Sequence, residues 1–506
     1  MRSMTGIEVV LPTRDVRRWM VVTIERLERA GYDVSVRHLA TAPPWSAAVD
    51  RLVMLDALFL TRHGCPLVQV ANSIGERRGT TPILRLDLTG AGPLDGIRTL
   101  TLAFSGRSSA AGIVDALVAG MHPEVTIAIN GETIARAAPM IDNRASIAAG
   151  LEDVLARATT LAVAITGRVA SGDTFEPISS TLKPPPPCGL ARYLSVFASL
   201  AIHEYHRRSL FRFAHWRTGY RLDDEKTWRE LPDDGTRFFA DPFPFTHQGR
   251  RYIFVEDFDH SARKGVISVS EVDSRGNAGA PRPVIEESTH LSYPQVFAHD
   301  GRIWMIPESS AAREVVLYRA EAFPDRWSRH AVLIADAEIS DATLLLRDGH
   351  YWLFGTLRDG HGSTSDTLVV YHAPALTGPW TPHVQNPIRI DRAGARPAGA
   401  FLERDGRTFL PVQDGTQGYG SGIGLIELLE LDTKSVVMGP RVRLWPQGLE
   451  PCPTIHTFNR HRDIEVIDWK IAEPRRRGAR PHSAPVRVSR PHRPATRSSK
   501  LTTHAE

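Results

Sequence analysis

Cysteine is scarce. The 506 residues contain three, Cys65, Cys188 and Cys452, too few and too scattered for a disulfide framework or a thiolate zinc cluster. The opening residues also lack the basic, apolar and small-residue order of a secretory signal, because Arg14, Arg17 and Arg18 interrupt the first 20 residues. The expected location is therefore cytoplasmic. A bilayer-spanning run is missing too: the mostly apolar stretch 190–202 has 13 residues and carries Arg192, against the roughly 20 that a spanning helix needs. Compositional extremes are absent, since 42% apolar and 23% charged residues are the balance of a folded globular chain.

The net charge of +4 hides an uneven distribution. Residues 474–506 hold nine Arg and Lys against one acid, Glu506, so this segment carries +8 and residues 1–473 sum to −4. A mildly acidic body excludes a nucleic-acid-binding domain as the default reading, and no nucleic-acid partner is expected. The segment itself is dominated by Arg, Pro, Ser and His without periodicity. It cannot bury enough apolar area to offset its ordering entropy and reads as a disordered basic tail.

The length predicts more than one domain. Residues 7–11 read as a buried strand, and Val16, Met20, Ile24 and Leu27 recur at helical spacing, with Thr13 as N-cap and Gly31 after the last turn. A strand resumes at 32–36. Further strands at 84–88, 99–104 and 126–129 extend this βαβ unit into an α/β, Rossmann-like domain over residues 1–182. The turn Pro12-Thr13-Arg14-Asp15 lacks the glycines that let a pyrophosphate approach a helix end. Dinucleotide binding is disfavoured, and no cofactor or metal is expected.

The run Lys183-Pro184-Pro185-Pro186-Pro187 cannot be helix interior and reads as a stiff extended spacer that ends the first domain. Beyond the stretch 190–202 come Arg207, Arg208, Phe211, Arg212, Phe213, Trp216 and Arg217, the mixture of an interfacial amphipathic helix. Residues 183–222 are therefore a linker and helix with two open roles. Either the helix packs the two domains together, or residues 190–217 make peripheral contact with the inner face of a membrane.

From Trp228 to Trp469 the texture changes to short strands rich in aromatic and β-branched residues. Four segments align on a turn glycine: ADPFPFTHQGRRYIFVED, SYPQVFAHDGRIWMIPES, SDATLLLRDGHYWLFGTL and RPAGAFLERDGRTFLPVQD. The glycines, Gly249, Gly301, Gly349 and Gly406, stand 52, 48 and 57 residues apart, the period of a four-stranded propeller blade. Three residues past each glycine is an aromatic: Tyr252, Trp304, Trp352 and Phe409. A poorer fifth copy lies at 454–469. The expectation is an all-β, five-bladed propeller over residues 223–473, so the fold class is multidomain, α/β followed by all-β.

In a propeller, equivalent positions of the inner strands fall on a ring around the central channel. Eight residues before each glycine stand Asp241, Tyr293, Asp341 and Ala398; seven after it stand Glu256, Glu308, Thr356 and Gln413, with Asp257, Ser309 and Asp414 adjacent in three blades. Carboxylates around a cleft suit sugars, because they accept hydroxyl hydrogen bonds and supply acid, base or nucleophile at a glycosidic centre. The competing reading is that Asp241 and Asp341 cap turns through their own backbone.

The run ADPFPF with VEDFDHSARKG, then SYPQVF with IPES, SDATLLL, RPAGAF with PVQD, and IHTFN resembles the propeller domain found N-terminal in plant glucosamine inositolphosphorylceramide transferases. It also resembles bacterial proteins that join this propeller to a formyltransferase-like domain, and more remotely the family 43 glycoside hydrolases. The resemblance implies a carbohydrate or nucleotide-sugar ligand and work in cell-surface polysaccharide or glycolipid glycosyl transfer. It implies a general base at Asp241 and an orienting, pKa-modulating role at Asp341. The family's general acid would open the fourth-blade motif, where this chain has Ala398; Glu308 is then the substitute acid for an inverting hydrolase. Glu256, Tyr293, Arg396, Gln413, Asp414 and His456 are the expected substrate contacts, His456 near the channel centre. The resemblance of the first domain to formyltransferases rests on its βαβ opening and on this association, and His122-Pro123-Glu124 does not supply the residues formyl transfer would use. A noncatalytic, membrane-docked scaffold is the third reading.

Overall fold

The computed structural model describes residues 5–61, 64–71, 74–92, 96–179, 183–209, 213–223, 225–449 and 454–473. Cys452 and the basic segment 474–506 lie outside the described residues.

The N-terminal unit is a six-stranded sheet flanked by helices. Its elements are β1 (Gly6–Pro12), α1 (Arg18–Arg29), β2 (Asp33–Leu39), α2 (Ala47–Leu60), β3 (Pro82–Asp87), β4 (Thr99–Phe104), α3 (Ala111–Val118), β5 (Val125–Ile129), β6 (Glu132–Ala137) and α4 (Ile147–Ala170). The strand order is β2-β1-β3-β4-β5-β6. Pairs β1/β2, β1/β3 and β3/β4 are parallel, whereas β4/β5 and β5/β6 are antiparallel. The sheet is therefore mixed. A tight Asn130-Gly131 turn, with φ of 51° and 88°, folds β6 straight back on β5 and cannot serve a parallel crossover. Thr13 does not cap α1. The N-cap is Arg17, whose buried guanidinium reaches Asp15 at 2.6 Å and Asp50 at 2.8 Å and so fixes the entry loop by ion pairs.

Five sheets follow, covering residues 237–285, 292–334, 338–390, 402–444 and 458–473, each ordered outward from its first strand as far as the chain allows. Gln248-Gly249, Asp300-Gly301, Asp348-Gly349 and Asp405-Gly406 all have positive φ at both residues. A two-residue hairpin needs that geometry to match the right-handed strand twist. Tyr252, Trp304 and Trp352 are buried between blades. Blade five has inner strands Phe458–His461 and Ile464–Glu473, and its outer strands are Phe213–Leu222 and Arg229–Glu230 from the start of the domain. The circle is thus closed by strands from its two ends.

That closure corrects one expectation. Helix α5 spans Leu190–Ser209, and residues 213–217, read with the helix, are strand. Phe213 pairs with Glu473 and the ladder runs to Leu222 opposite Ile464. His215, Trp216, Thr218 and Tyr220 are buried, which a surface helix would not achieve.

The two units share a polar interface. Arg157 of α4 is fully buried and donates from Nε to Asp366 at 2.7 Å, from Nη1 to Asp359 at 2.9 Å and from Nη2 to the Ser363 carbonyl. Met140 N–H donates to Asp366 at 2.9 Å, Arg26 pairs with Asp359 at 2.5 Å, and Ser363 donates to Asp142 at 2.7 Å. The loop 359–366 of blade three is gripped from the N-terminal side, and Thr364 and Ser365 on it reach inward to Arg396.

Candidate functional site

The inner strands of blades one to three each carry a bulge at the ring position. Asp241, Tyr293 and Asp341 have φ of 48°, 47° and 52°, and the ladders shift register beside them. An extra residue in the left-handed region turns the side chain out of the pleat. Non-glycine residues seldom hold this conformation, and it persists where the surroundings over-determine it.

Two linked groups form at the centre. In the first, Asp241 accepts from Thr457 Oγ1 at 2.6 Å and lies 3.4 Å from His456 Nε2. Asp468 accepts from the backbone N–H groups of Asp241, His456 and Thr457, and its Oδ2 lies 2.8 Å from His456 Nδ1, an ion-pair contact outside hydrogen-bond alignment. The His456 ring stacks on Trp216, centroids 4.0 Å apart, and Tyr419 meets both edge-on. In the second, Arg396 holds Asp341 with Nε at 2.6 Å and Nη2 at 3.2 Å, Gln413 adds a donor at 3.1 Å, and Glu308 accepts from Asp341 N–H at 3.0 Å. Arg396 also lies 5.2 Å from the Tyr419 ring centroid, so Tyr419 spans both groups.

Asp241, Glu256, Glu308, Asp341 and Asp468 are all buried, against Arg396 and His456 as cations. Five anions cannot share that charge. Burial alone would push Glu308 up, but Arg396 and the donors Asp341 N–H and Ser310 outweigh it and hold the carboxylate below its ordinary range. Glu256 goes the other way: burial first, then Asp241, Glu308, Asp468 and Asp341, push it well above. Its neighbour His290, 3.4 Å away, is pushed down by burial and gives no compensating charge. Burial opposes protonation of His456, but Asp468 and Asp241 prevail and raise it.

The sequence-derived residues thus separate. Asp241, Asp341, Glu308, Glu256, Arg396, Gln413 and His456 converge. Tyr293 does not offer its hydroxyl to a ligand: it bonds Thr343 Oγ1 at 2.9 Å and accepts from Gly399 N–H at 2.7 Å, tying blade two to blades three and four. Asp414 also departs, pairing with Arg441 on the outer strand of blade four at 3.1 Å. Ala398 is buried among Leu402, Ile455 and Phe458 and offers no acid. Asp468, Trp216 and Tyr419 were missed. Asp468 sits on a second strand, out of the glycine register; the glycine-rich run 415–424 that presents Tyr419 is the one signal that could have pointed to it. Among the described residues, Asp241, His456 and Asp468 are the one set whose donor atoms, within 4.8 Å of each other, could hold a metal ion. The backbone and Thr457 donors already fill much of that carboxylate capacity, and His456 supplies the positive charge.

Fold and site together define a five-bladed propeller with a carboxylate-rich centre. Residues 231–438 match the family described as glucosamine inositolphosphorylceramide transferase 1, N-terminal. The chain is similar to glucosamine inositolphosphorylceramide transferase 1 of Oryza sativa subsp. japonica, 34% identical over 200 residues, which is 39% of this chain and 27% of that protein. It is likewise similar to the protein of that name from Arabidopsis thaliana, 32% identical over 192 residues, 37% of this chain and 25% of that one. The chain spans about a quarter of the length of the curated relatives it matches. Among solved structures it is similar to a GH43 protein from Bacillus licheniformis (18% identity, 42% of this chain, 48% of that chain, TM-score 0.33). A family 117 glycoside hydrolase from Zobellia galactanivorans is also similar (13% identity, 51% and 90%, TM-score 0.36).

Proposed function

We propose that the propeller centre binds a carbohydrate, free or as a nucleotide sugar, and serves glycosyl transfer in making a glycolipid or cell-surface polysaccharide. The observation that carries this reading is the convergence of Asp241, Glu256, Glu308 and Asp341 from three blades with Arg396 and His456 between them. The transferase name of the plant relatives supports the class. Glycosyl chemistry needs one carboxyl that holds a proton and one that has lost it. Glu256, pushed well above its ordinary range, is the candidate proton donor; burial raises Asp241 too, but His456 pulls against it, which makes Asp241 the candidate acceptor. Hydrolysis with Glu308 as acid fits less well, because Arg396 keeps that carboxylate ionised.

The test is isothermal titration against a panel of mono-, oligo- and nucleotide sugars, with wild type, Asp241→Asn and Glu256→Gln. Binding by wild type that falls at least about tenfold in Asp241→Asn, the loss of roughly one charged hydrogen bond, is expected. No sugar bound across the panel by folded protein would overturn the reading.

A further inference from the structure

Helices α2 and α5 pack against each other on the N-terminal unit. Each has two apolar faces. In α2, Val49, Val53 and Leu60 face the core, yet Met54, Leu55, Leu58 and Phe59 point outward, Leu58 72% and Phe59 64% exposed. In α5, Tyr193, Val196, Phe197 and Leu200 contact the core. Leu190, Leu194 and Ile202 recur on the other side, Leu194 45% and Ile202 60% exposed, with Tyr205 near the end. A helix apolar on both sides is normally covered on both, and exposed apolar side chains gathered on two packed helices mark an interaction surface.

What covers it is indicated by charge. Glu473, the last described residue, pairs with Phe213, four residues after α5 ends at Ser209. The last described residue before the +8 sequence 474–506 is thus paired close to the end of α5. Exposed Arg51 and Arg192 lie on the two helices themselves, and α5 closes on the sequence His206-Arg207-Arg208. The segment cannot cover the patch itself, since Val486, Val488 and Leu501 are its only large apolar residues. A second copy would bring two such segments together against their mutual repulsion. No described helix is long and apolar enough to cross a membrane. An apolar helix face with basic residues beside it is, however, the two-signal arrangement for holding a protein on an anionic bilayer.

We propose that the outward face of α2 and α5 docks this protein on an anionic membrane surface. The face inserts its Leu, Ile and Phe side chains at the acyl boundary, and Arg51 and Arg192 supply attraction to the headgroups.

The experiment is co-sedimentation of the full chain with vesicles of phosphatidylcholine, alone and mixed with phosphatidylglycerol. It compares wild type with Leu58→Glu/Phe59→Glu and with Leu194→Glu/Ile202→Glu. All the apolar positions are exposed, and thermal melts verify that the variants fold. Wild type should bind the mixed vesicles at low salt, and each variant should bind at least about tenfold more weakly. Molar salt should weaken binding similarly. Failure of wild type to bind the mixed vesicles would overturn the proposal, as would binding indifferent to the apolar substitutions. So would a dimer in light scattering that Leu58→Glu/Phe59→Glu dissolves while wild type ignores vesicles, which would assign the face to a second copy.

Discussion

Replacing Arg157 by Met isolates what the interdomain ion cluster contributes. Arg157 is fully buried, and its guanidinium serves Asp366, Asp359 and the Ser363 carbonyl together. Methionine keeps most of the packing and removes the charge. Asp366, also fully buried, retains Met140 N–H and Thr367 Oγ1 as donors, so the penalty belongs at the low end of the range for a broken buried pair, about 3 kcal/mol. For a unit of about 150–250 residues that is a fall of roughly 6–12 °C in melting temperature. A pH signature separates charge from packing. Burial already pushes Asp366 up against the pull of Arg157, and without the arginine it rises further. A carboxyl with a raised folded pKa loses stability as pH rises through that value, so Arg157→Met should recover stability from pH 8 to pH 5 relative to wild type. Calorimetry at both pH values, with Asp366→Asn and the double variant, completes the cycle. A loss under 2 °C, or one of equal size at both pH values, would refute the reasoning.

The site yields three further expectations. Glu256→Gln should abolish the loss of stability that wild type shows as pH rises through the raised folded pKa of this carboxyl, read by denaturant melts across pH. His456, raised by Asp468 and Asp241 against burial, contributes stability fully present below about pH 6.5 and lost as pH climbs through its folded value, so His456→Gln should flatten that limb of the same curve. Gly399→Ala should cost several kcal/mol, about 3 or more, in chemical denaturation: φ there is +146° and an added Cβ would meet the Phe458 carbonyl at 2.1 Å.

Much of the architecture was legible because it repeats. Four turn glycines with matched aromatics gave the blades and the ring register that brings Asp241 and Asp341 to the centre. The strand at 99–104 appears as β4 with the same bounds. Helix α4 left no comparable trace: it is buried on nearly every side, so Ile147–Ala170 shows no polar face for a periodicity to reveal. Asp468 was hidden for a different reason. It accepts from three backbone N–H groups and sits in the fifth blade, whose hairpin turns on Arg462-Asp463 and has no glycine for the alignment to index. Asp414 misled because adjacency in sequence flips the face of a strand; it stands next to Gln413 and points to the opposite side.

Strand Phe213–Leu222 finds its partner Ile464–Glu473 only about 250 residues later, a separation that makes loop closure slow. On the ribosome, its backbone donors and acceptors must wait through synthesis of four entire blades. An early stop anywhere before Ile464 would leave that ribbon with a bare edge open to other chains. Nascent chains of this protein should therefore depend on a holdase until the final hairpin emerges, and C-terminal truncations should precipitate rather than fold into smaller rings.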